Sequence, residues 1–246
     1  MQGYQDALAY IHDVGYSDYA LGAAPGLLRI LKKNGIASGL VVDLGCGSGR
    51  WARELNRAGY DVLGVDQSPA MIRLARRIAP KSRFKVVSLW SAALPPCRAI
   101  TSIGECLNYR FHPVEGKNGL RRLFKRAYRA LRPGGVFICD FAGPGRAPKG
   151  GRREHSSAGR DWSVTAETTT HSRGVLRRHI VALRRVGGRQ RRSVEIHYLR
   201  LHTPAEISKE LARCGFRVRS VGGYGKFRFP GGIHGVVAEK PEQRTA

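Results

Sequence analysis

The sequence predicts an α/β fold in which a seven-stranded, mostly parallel sheet is covered by helices on both faces. Two observations lead to this prediction. Short apolar runs of strand length alternate with amphipathic helical segments along most of the chain, which is typical of parallel sheets buried on both faces. After the fifth predicted strand, a basic segment with antiparallel character interrupts this alternation.

The alternation can be divided into elements by its start and stop signals. Ser68 and Pro69 supply an N-cap and a first-turn proline for the helix after the second strand. Residues 203–206 form a capping box that opens the last helix, and Arg132-Pro133-Gly134-Gly135 is expected to end the helix before strand five. The seven predicted strands cover residues 40–44, 62–65, 84–87, 99–103, 136–139, 216–221 and 235–238.

Three parts of the chain differ in character. Residues 1–35 are expected to be a helical lid, with a break at Pro25-Gly26. Residues 36–145 and 202–240 together form the sheet domain. Residues 146–201 form a basic antiparallel β insertion.

The insertion is the most basic part of the chain. Residues 142–160 are rich in Gly, Pro and Arg and predict a loop, whereas residues 161–201 alternate like antiparallel strands, with a hairpin turn at Gly187-Gly188. Residues 146–200 contain 14 Lys or Arg and 4 Asp or Glu, in a chain whose net charge is +25. This charge indicates a nucleic acid, an anionic acceptor, or a basic surface with no dedicated ligand.

Composition excludes several other classes. No apolar run approaches the roughly 18–20 residues that span a bilayer, and the first nine residues do not resemble a signal peptide. The five cysteines are odd in number and include no C-x-x-C pair, which argues against a disulfide framework or a zinc site. We therefore expect a cytoplasmic protein without a metal centre, either a monomer or a homodimer.

A glycine-rich turn marks the candidate ligand site. It covers Asp43 to Arg50, leaving the first predicted strand and entering a helix. Glycines permit a sharp bend and close approach of a ligand, and the helix that follows directs free N–H groups towards it. Asp66 ends the second strand, where a carboxylate can accept hydrogen bonds from both hydroxyls of a ribose. Together these features predict a nucleoside-containing ligand.

The spacing of the turn argues against a dinucleotide. A dinucleotide loop would read G-x-G-x-x-G/A, but here the sixth position is Arg50. The glycines fall at positions 45, 47 and 49, and Asp43 precedes them. A carboxylate at that point suits an ammonium group better than a pyrophosphate.

Three segments carry a resemblance to a known family. Residues 43–49 resemble the S-adenosylmethionine (SAM) binding motif of class I methyltransferases, whose fold is Rossmann-like. Residues 65–71 resemble the family's second motif, and residues 131–135 resemble its turn before strand five. The resemblance spans roughly residues 36–141, and the last helix and two strands fit its tail. The insertion is similar to that of small-molecule members such as the glycine and sarcosine methyltransferases.

The resemblance implies SAM as the cofactor and assigns residues to it by position. The three glycines would pass under the methionine part, with Asp43 near its ammonium, and Asp66 would hold the ribose with Gln67 beside it. Gly104 and Glu105 would face the sulfonium and the acceptor. The complete set expected at the cofactor is Asp43, Gly45, Cys46, Gly47, Gly49, Asp66, Gln67, Met71, Leu89, Gly104, Glu105 and Tyr19.

The implied activity is methyl transfer to a nitrogen or oxygen atom, in which positioning supplies much of the rate. If the acceptor must lose a proton, the candidate bases are His112, His12 and Tyr10, with His234 a further candidate. Tyr16 and Tyr19 are candidates for a lid over SAM.

Three hypotheses for function remain open. The first is a small-molecule methyltransferase whose basic insertion favours an acidic acceptor. The second is an RNA methyltransferase that uses the insertion to follow phosphates. Against it, residues 102–109 lack the Asn/Asp-Pro-Pro-Tyr/Phe motif of many base-amino methylases, and few aromatic residues accompany the arginines. The third is a SAM-binding protein without catalytic activity.

Overall fold

A computed structural model describes residues 3–111 and 118–242 of the chain. The helices are α1 (Asp6–Gly15), α2 (Asp18–Lys33), α3 (Arg50–Arg57), α4 (Pro69–Ile78), α5 (Gly119–Ala130) and α6 (Pro204–Ala212). The strands are β1 (Gly39–Leu44), β2 (Tyr60–Asp66), β3 (Arg83–Val86), β4 (Cys97–Ser102), β5 (Leu131–Ala142), β6 (Arg152–Ala158), β7 (Trp162–Ser172), β8 (Val175–Val186), β9 (Arg189–Arg200), β10 (Arg217–Val221), β11 (Gly223–Tyr224), β12 (Phe227–Arg228) and β13 (Ile233–Glu239).

The central sheet confirms the predicted fold class. Seven strands lie in the order β10-β13-β5-β4-β1-β2-β3. The strands from β5 to β3 are parallel to one another, whereas β13 is antiparallel to both β5 and β10. All seven strands overlap the segments predicted from the sequence. Among the described residues, no helix is both long enough and apolar enough to cross a bilayer.

Both faces of the sheet are buried, because consecutive side chains of a strand point to opposite sides. Val41 and Val42 are each fully buried, but they belong to different cores. On one face Val42 packs with residues of α5 and α6, and on the other Val41 packs with residues of α2 and α3. This is why the central strands appear in the sequence as continuous apolar runs.

The predicted helix break at Pro25-Gly26 is wrong. Pro25 lies inside α2 on its exposed side, where it removes one helix hydrogen bond. The neighbouring Ala24 and Leu27 are buried. Gly26 packs directly on the β11–β12 hairpin, where an added Cβ would lie 2.0 Å from the carbonyl oxygen of Tyr224. Burial of this face offsets the local disruption, so the helix continues.

Two further helix boundaries lie where they were predicted, but the local structure at each differs from the prediction. The Arg132-Pro133-Gly134-Gly135 segment follows the end of α5, as expected, but it lies within β5 at an irregularity in the pairing with β4. Residues 203–206 form only half of a capping box. The Thr203 hydroxyl accepts from the Glu206 N–H at 3.1 Å, whereas the Glu206 carboxylate pairs with Arg200 instead of returning to the cap.

The insertion forms a separate antiparallel sheet in the order β6-β7-β8-β9. The turn at Gly187-Gly188 is confirmed, because both glycines have positive φ and connect paired residues of β8 and β9. The expectation of a loop throughout residues 142–160 is wrong in part, since β6 occupies residues 152–158. Strand β6 is exposed along most of its length, so it lacks the apolar alternation by which strands are detected.

The contact between α2 and the β11–β12 hairpin gives a prediction for stability. The Gly26→Ala variant should lower the free energy of unfolding by about 1–3 kcal/mol, because its Cβ collides with backbone. The matched control is Gly119→Ala in α5, where the nearest atom, in the ring of Trp90, would lie at 3.6 Å. Urea unfolding of both variants measures the difference, and equal effects would contradict the packing argument.

Candidate functional site

A cavity of about 740 Å³ opens at the carboxyl ends of β1, β2 and β4, where open α/β sheets bind their ligands. Its far side is formed by α1 and by β7 and β8 of the insertion. The volume lies within the range of about 300–1,000 Å³ for small-molecule and cofactor sites. The cavity therefore lies between the central sheet and the insertion.

Three glycines in the turn after β1 have positive φ but different surroundings. A Cβ on Gly45 would lie 2.5 Å from the Sγ of Cys106, and one on Gly49 would lie 3.0 Å from Ala75 of α4. A Cβ on Gly47 would meet nothing within 4 Å. Gly47 lines the cavity, so it is the glycine that leaves space for a ligand against the backbone.

Asp66 fixes the shape of this turn. Its Oδ2 accepts from the Gly47 N–H at 3.0 Å, and its Oδ1 accepts from the Ser68 N–H at 2.8 Å. Burial raises the pKa of Asp66, while the two N–H groups act in the opposite direction. The carboxylate lies beside the cavity with lone pairs left for further donors.

Asp43 presents a second carboxylate to the cavity and is 3% exposed. Its Oδ1 accepts from the Thr101 hydroxyl at 2.7 Å, and Thr101 in turn accepts from the Trp51 indole at 3.2 Å. Burial raises the pKa of Asp43 to about 7. No cationic side chain in the described parts of the chain pairs with it, so the site favours a ligand with a positive charge.

The turn after β4 is held by Asp140, which the sequence analysis missed. Oδ1 of Asp140 accepts from the N–H groups of both Gly104 and Glu105, each at 2.8 Å. These bonds hold Glu105 at φ +62, a left-handed conformation that is uncommon for a residue with a Cβ. Tyr224 donates to Oδ2 at 3.2 Å, and burial raises the pKa of Asp140 to about 7. The sequence signal that could have identified Asp140 was an acidic residue directly after the predicted fifth strand.

The N-terminal segment (residues 3–15) is anchored to both sides of the cavity. Glu195 of β9 accepts from the N–H groups of Tyr4 and Gln5 at 2.6 and 2.8 Å. At the other end of α1, Asp13 forms a two-bond ion pair with Arg50, at 2.7 and 2.9 Å. The segment thus links the insertion to the helix after the glycine turn. No sequence motif indicated these pairings.

Comparisons with known proteins agree with this geometry. Residues 41–135 match the family model for a methyltransferase domain. Trans-aconitate 2-methyltransferase of Delftia acidovorans is 33% identical over 103 residues, which are 41% of this chain and 37% of that protein. The chain spans less than half the length of this curated relative.

Two solved structures are similar over almost the whole chain. A SAM-dependent methyltransferase from Clostridium acetobutylicum has a TM-score of 0.79 at 18% identity, covering 95% of this chain and 97% of that chain. SAM-bound CalS10, an amino pentose methyltransferase from Micromonospora echinaspora, has a TM-score of 0.74 at 20% identity, covering 96% and 97%. The fold is that of the class I methyltransferases. The family match and the SAM-bound neighbour support S-adenosylmethionine as the cofactor.

The residues present fit SAM. The methyltransferase fold here combines an open backbone surface at Gly47, a buried carboxylate without a cationic partner at Asp43, and a second carboxylate at Asp66. An ammonium group and a ribose diol are the groups that such carboxylates bind. In the described ranges no cluster of three or more His, Cys, Asp or Glu is arranged to hold a metal ion.

The structure brings most of the predicted cofactor residues together. Those that line the cavity are Asp43, Gly45, Cys46, Gly47, Asp66, Gln67, Met71, Leu89, Gly104, Glu105 and Tyr19. Gly49 does not line it, because it is the N-cap residue of α3 and packs against Ala75 of α4. The positive φ of Gly49 therefore serves the turn rather than contact with SAM.

The structure places some of the candidate bases at the cavity and others outside it. His12 lines the cavity, its Nδ1 is buried without a hydrogen-bond partner, and burial lowers its pKa. Tyr10 lies outside the cavity, because its hydroxyl donates to Asp161 and its ring lies 3.5 Å from the guanidinium carbon of Arg184. His234 also lies outside the lining, against Phe141. His112 falls outside the described residues.

The wall formed by the insertion was not assigned residue by residue from the sequence. Alternation along β7 and β8 was the signal that could have identified it, since every second side chain faces the cavity. The additional lining residues from this side and from the loops beside it are Tyr109, Phe111, Arg146, Arg153, Glu154, His155, Val164, Ala166, Thr168, Arg178 and Ile180.

The surroundings of Gly47 give a prediction for ligand binding. The Gly47→Ala variant should weaken S-adenosylhomocysteine binding at least about tenfold, because a methyl group then occupies space against the backbone. The matched control is Gly35→Ala, which carries the same positive-φ strain of about 1–2 kcal/mol in open space after α2. Isothermal titration calorimetry compares them, and unchanged affinity in Gly47→Ala would refute the role of this glycine.

Proposed function

We propose that the protein is a SAM-dependent methyltransferase that transfers a methyl group to a nitrogen or oxygen atom of a small molecule. One observation carries this proposal: the same cavity is lined by the glycine turn after β1 and by the inner face of the insertion. We call the side at the glycine turn the cofactor half and the side at the insertion the acceptor half. A cofactor in the first and an acceptor in the second would meet beside Gly104 and Glu105.

The cofactor half of the cavity offers partners for the ammonium, the ribose and the methionine part of SAM. Asp43 pairs with the ammonium, Asp66 accepts from the ribose hydroxyls, and the backbone at Gly47 lies under the methionine part. Gln67, Met71 and Leu89 complete the wall. When bound, SAM supplies a methyl group on a positively charged sulfur, so the protein has to align the acceptor and exclude water.

The acceptor half is bounded by α1 and the insertion, and the cavity volume of about 740 Å³ favours a small molecule over a polymer. Of the predicted lid, only α1 serves as a lid in this proposal, because it packs on β7 and β8 through Leu8, Ile11, Val164 and Ile180, whereas α2 packs on the central sheet. Where the acceptor must lose a proton, His12 is the described candidate base that lines the cavity. The basic composition of the insertion favours an acidic acceptor, and the likeness to glycine and sarcosine methyltransferases stays a prediction.

The RNA alternative rests on a different surface. The end of the β8–β9 hairpin carries exposed arginines, Arg185, Arg189, Arg191 and Arg192, which have no ion pair with any described acid. If they bind RNA, affinity for a single-stranded oligonucleotide should fall steeply with salt. A small organic acid contacts far fewer cationic groups than a polyanion, so its turnover should depend on salt much less steeply.

Methyl transfer can be tested directly. The protein is incubated with methyl-labelled SAM and separate panels of amino sugars, small carboxylic acids and RNA, and S-adenosylhomocysteine formation is measured. We expect turnover with a member of a small-molecule panel. Turnover with RNA alone would establish the second hypothesis, and tight SAM binding without turnover on any panel would favour a non-catalytic SAM-binding protein.

The raised pKa of Asp43 gives a prediction for pH dependence. Its carboxyl is protonated below about pH 7 in the free protein, and only the ionised form pairs with an ammonium. The affinity for S-adenosylhomocysteine should therefore fall as the pH drops from 8 to 6, by up to about tenfold per unit below the pKa. Calorimetry at several pH values measures the slope.

Two variants test the assignment of that slope. Asp43→Asn should bind more weakly at pH 8 and lose the dependence on pH. Asp140→Asn is the matched control, because burial raises the pKa of Asp140 to about 7 as well. This variant should keep the dependence on pH, because Oδ1 of Asp140 accepts from two backbone N–H groups and is not expected to bind the ammonium. If the slope persists in Asp43→Asn, this carboxylate does not hold the ammonium.

A further inference from the structure

Three charged side chains from separate elements meet in the acceptor half of the cavity. Glu105 follows β4, Arg146 follows β5, and Arg178 lies in β8 of the insertion. Oε2 of Glu105 accepts from Nη2 of Arg178 at 3.0 Å, and its Oε1 lies 3.3 Å from Nε of Arg146. We call these residues the Glu105 triad.

The Glu105 triad has an excess of positive charge. Two guanidinium groups share one carboxylate, and their side chains are only 17% and 23% exposed. Although burial opposes it, the charge of Glu105 raises the pKa of Arg178, so this guanidinium stays protonated. Within the described chain, neither arginine has another acidic partner. An uncompensated charge on a largely buried side chain is costly unless a ligand neutralises it.

The hydrogen-bonding capacity of the two arginines is also incompletely used. Each guanidinium carries five N–H donors. Nε of Arg146 is buried against Glu105, with which its contact is ionic only, whereas its two Nη groups form no hydrogen bond with a described residue. Nη1 of Arg178 reaches only the Tyr109 hydroxyl, at 3.4 Å. The unused donors match the planar oxygens of a carboxylate or the oxygens of a phosphate.

Part of the cavity wall on the insertion side is aliphatic, beside the polar Arg153, Glu154 and His155 of β6. Leu8 of α1 lines the same cavity with Val164 and Ala166 of β7 and Ile180 of β8. Val164 and Ile180 are 4% and 7% exposed. A molecule that fills this space can therefore contact aliphatic side chains as well as the two guanidinium groups.

We propose that the acceptor is an organic acid with an apolar body, and that Arg146 and Arg178 bind its carboxylate or phosphate group. This inference rests on the proposed methyltransferase function and names the acceptor class of the same cavity. Glu105 positions Arg178 for this contact, and Asp140 holds Glu105 in place through the backbone.

The test uses small probes on the intact protein saturated with S-adenosylhomocysteine. Hexanoate, hexyl phosphate and hexan-1-ol share the same apolar chain and differ in charge. Saturation-transfer NMR titrations should give at least one anion a dissociation constant about tenfold lower than that of the alcohol. The anion that binds tighter identifies the preferred group. Equal binding of the alcohol and both anions would overturn the proposal.

Variants assign the preference to the arginines. Arg146→Gln and Arg178→Gln should each abolish most of the preference for the anion, while Arg189→Gln, which removes the same charge from the exposed hairpin, should retain it. Arg146→Lys keeps the charge but loses the planar fork, and should show an intermediate preference. An equal loss in Arg189→Gln would mean that net charge alone is responsible and would overturn the proposal.

Cofactor binding distinguishes a failure of the acceptor proposal from a failure of the proposed methyltransferase function. S-adenosylhomocysteine affinity and the melting temperature are measured for every variant, and both should stay close to the wild-type values in Arg146→Gln. If Arg146→Gln instead loses S-adenosylhomocysteine while keeping the anion preference, the arginine serves the cofactor and the proposal fails. If wild-type protein does not bind S-adenosylhomocysteine at all, the methyltransferase function fails first.

Discussion

Carboxylates that accept from backbone N–H groups hold the site together. Asp66 fixes the turn at Gly47, Asp140 fixes the turn at Glu105, and Glu195 fixes the start of the N-terminal segment. Hydrogen bonds of this kind to an ionised group contribute about 1.5–3 kcal/mol each. Because they act on the backbone, they set the positions of whole segments rather than of single side chains. The cavity exists because three separate segments are fixed in this way.

The two ends of the cavity carry side chains of opposite charge. The end beside β1 and β2 presents the carboxylates of Asp43 and Asp66, neither of which has a cationic side-chain partner among the described residues. The end beside the insertion presents Arg146 and Arg178, with one shared carboxylate between them. A methyl donor with positive charge and an acceptor with negative charge would therefore be drawn to opposite ends. The methyl group and its destination would meet between them.

Much of the fold could be predicted because burial of apolar side chains leaves a local pattern in the sequence. The positions of the seven strands followed from apolar runs such as that around Val42, whose residues are buried on either face. The errors occurred where a distant contact outweighed local preference. Pro25 stays within a helix because of what packs on its neighbours, and β6 forms because β7 offers it a partner, although its own side chains are exposed. Neither partner can be identified from the local pattern.

The sequence by itself determined the glycine turn, the carboxylates at positions 43 and 66, and hence a nucleoside-containing ligand. Backbone geometry and strand ends encode these features within a few residues. Only the tertiary structure decided that His12 reaches the cavity while Tyr10 pairs with Asp161 outside it, and that Glu105 meets Arg178. The last two contacts join residues that are 151 and 73 positions apart in the chain. Their geometry depends on how the helices and the insertion pack around the sheet, which periodicity does not encode.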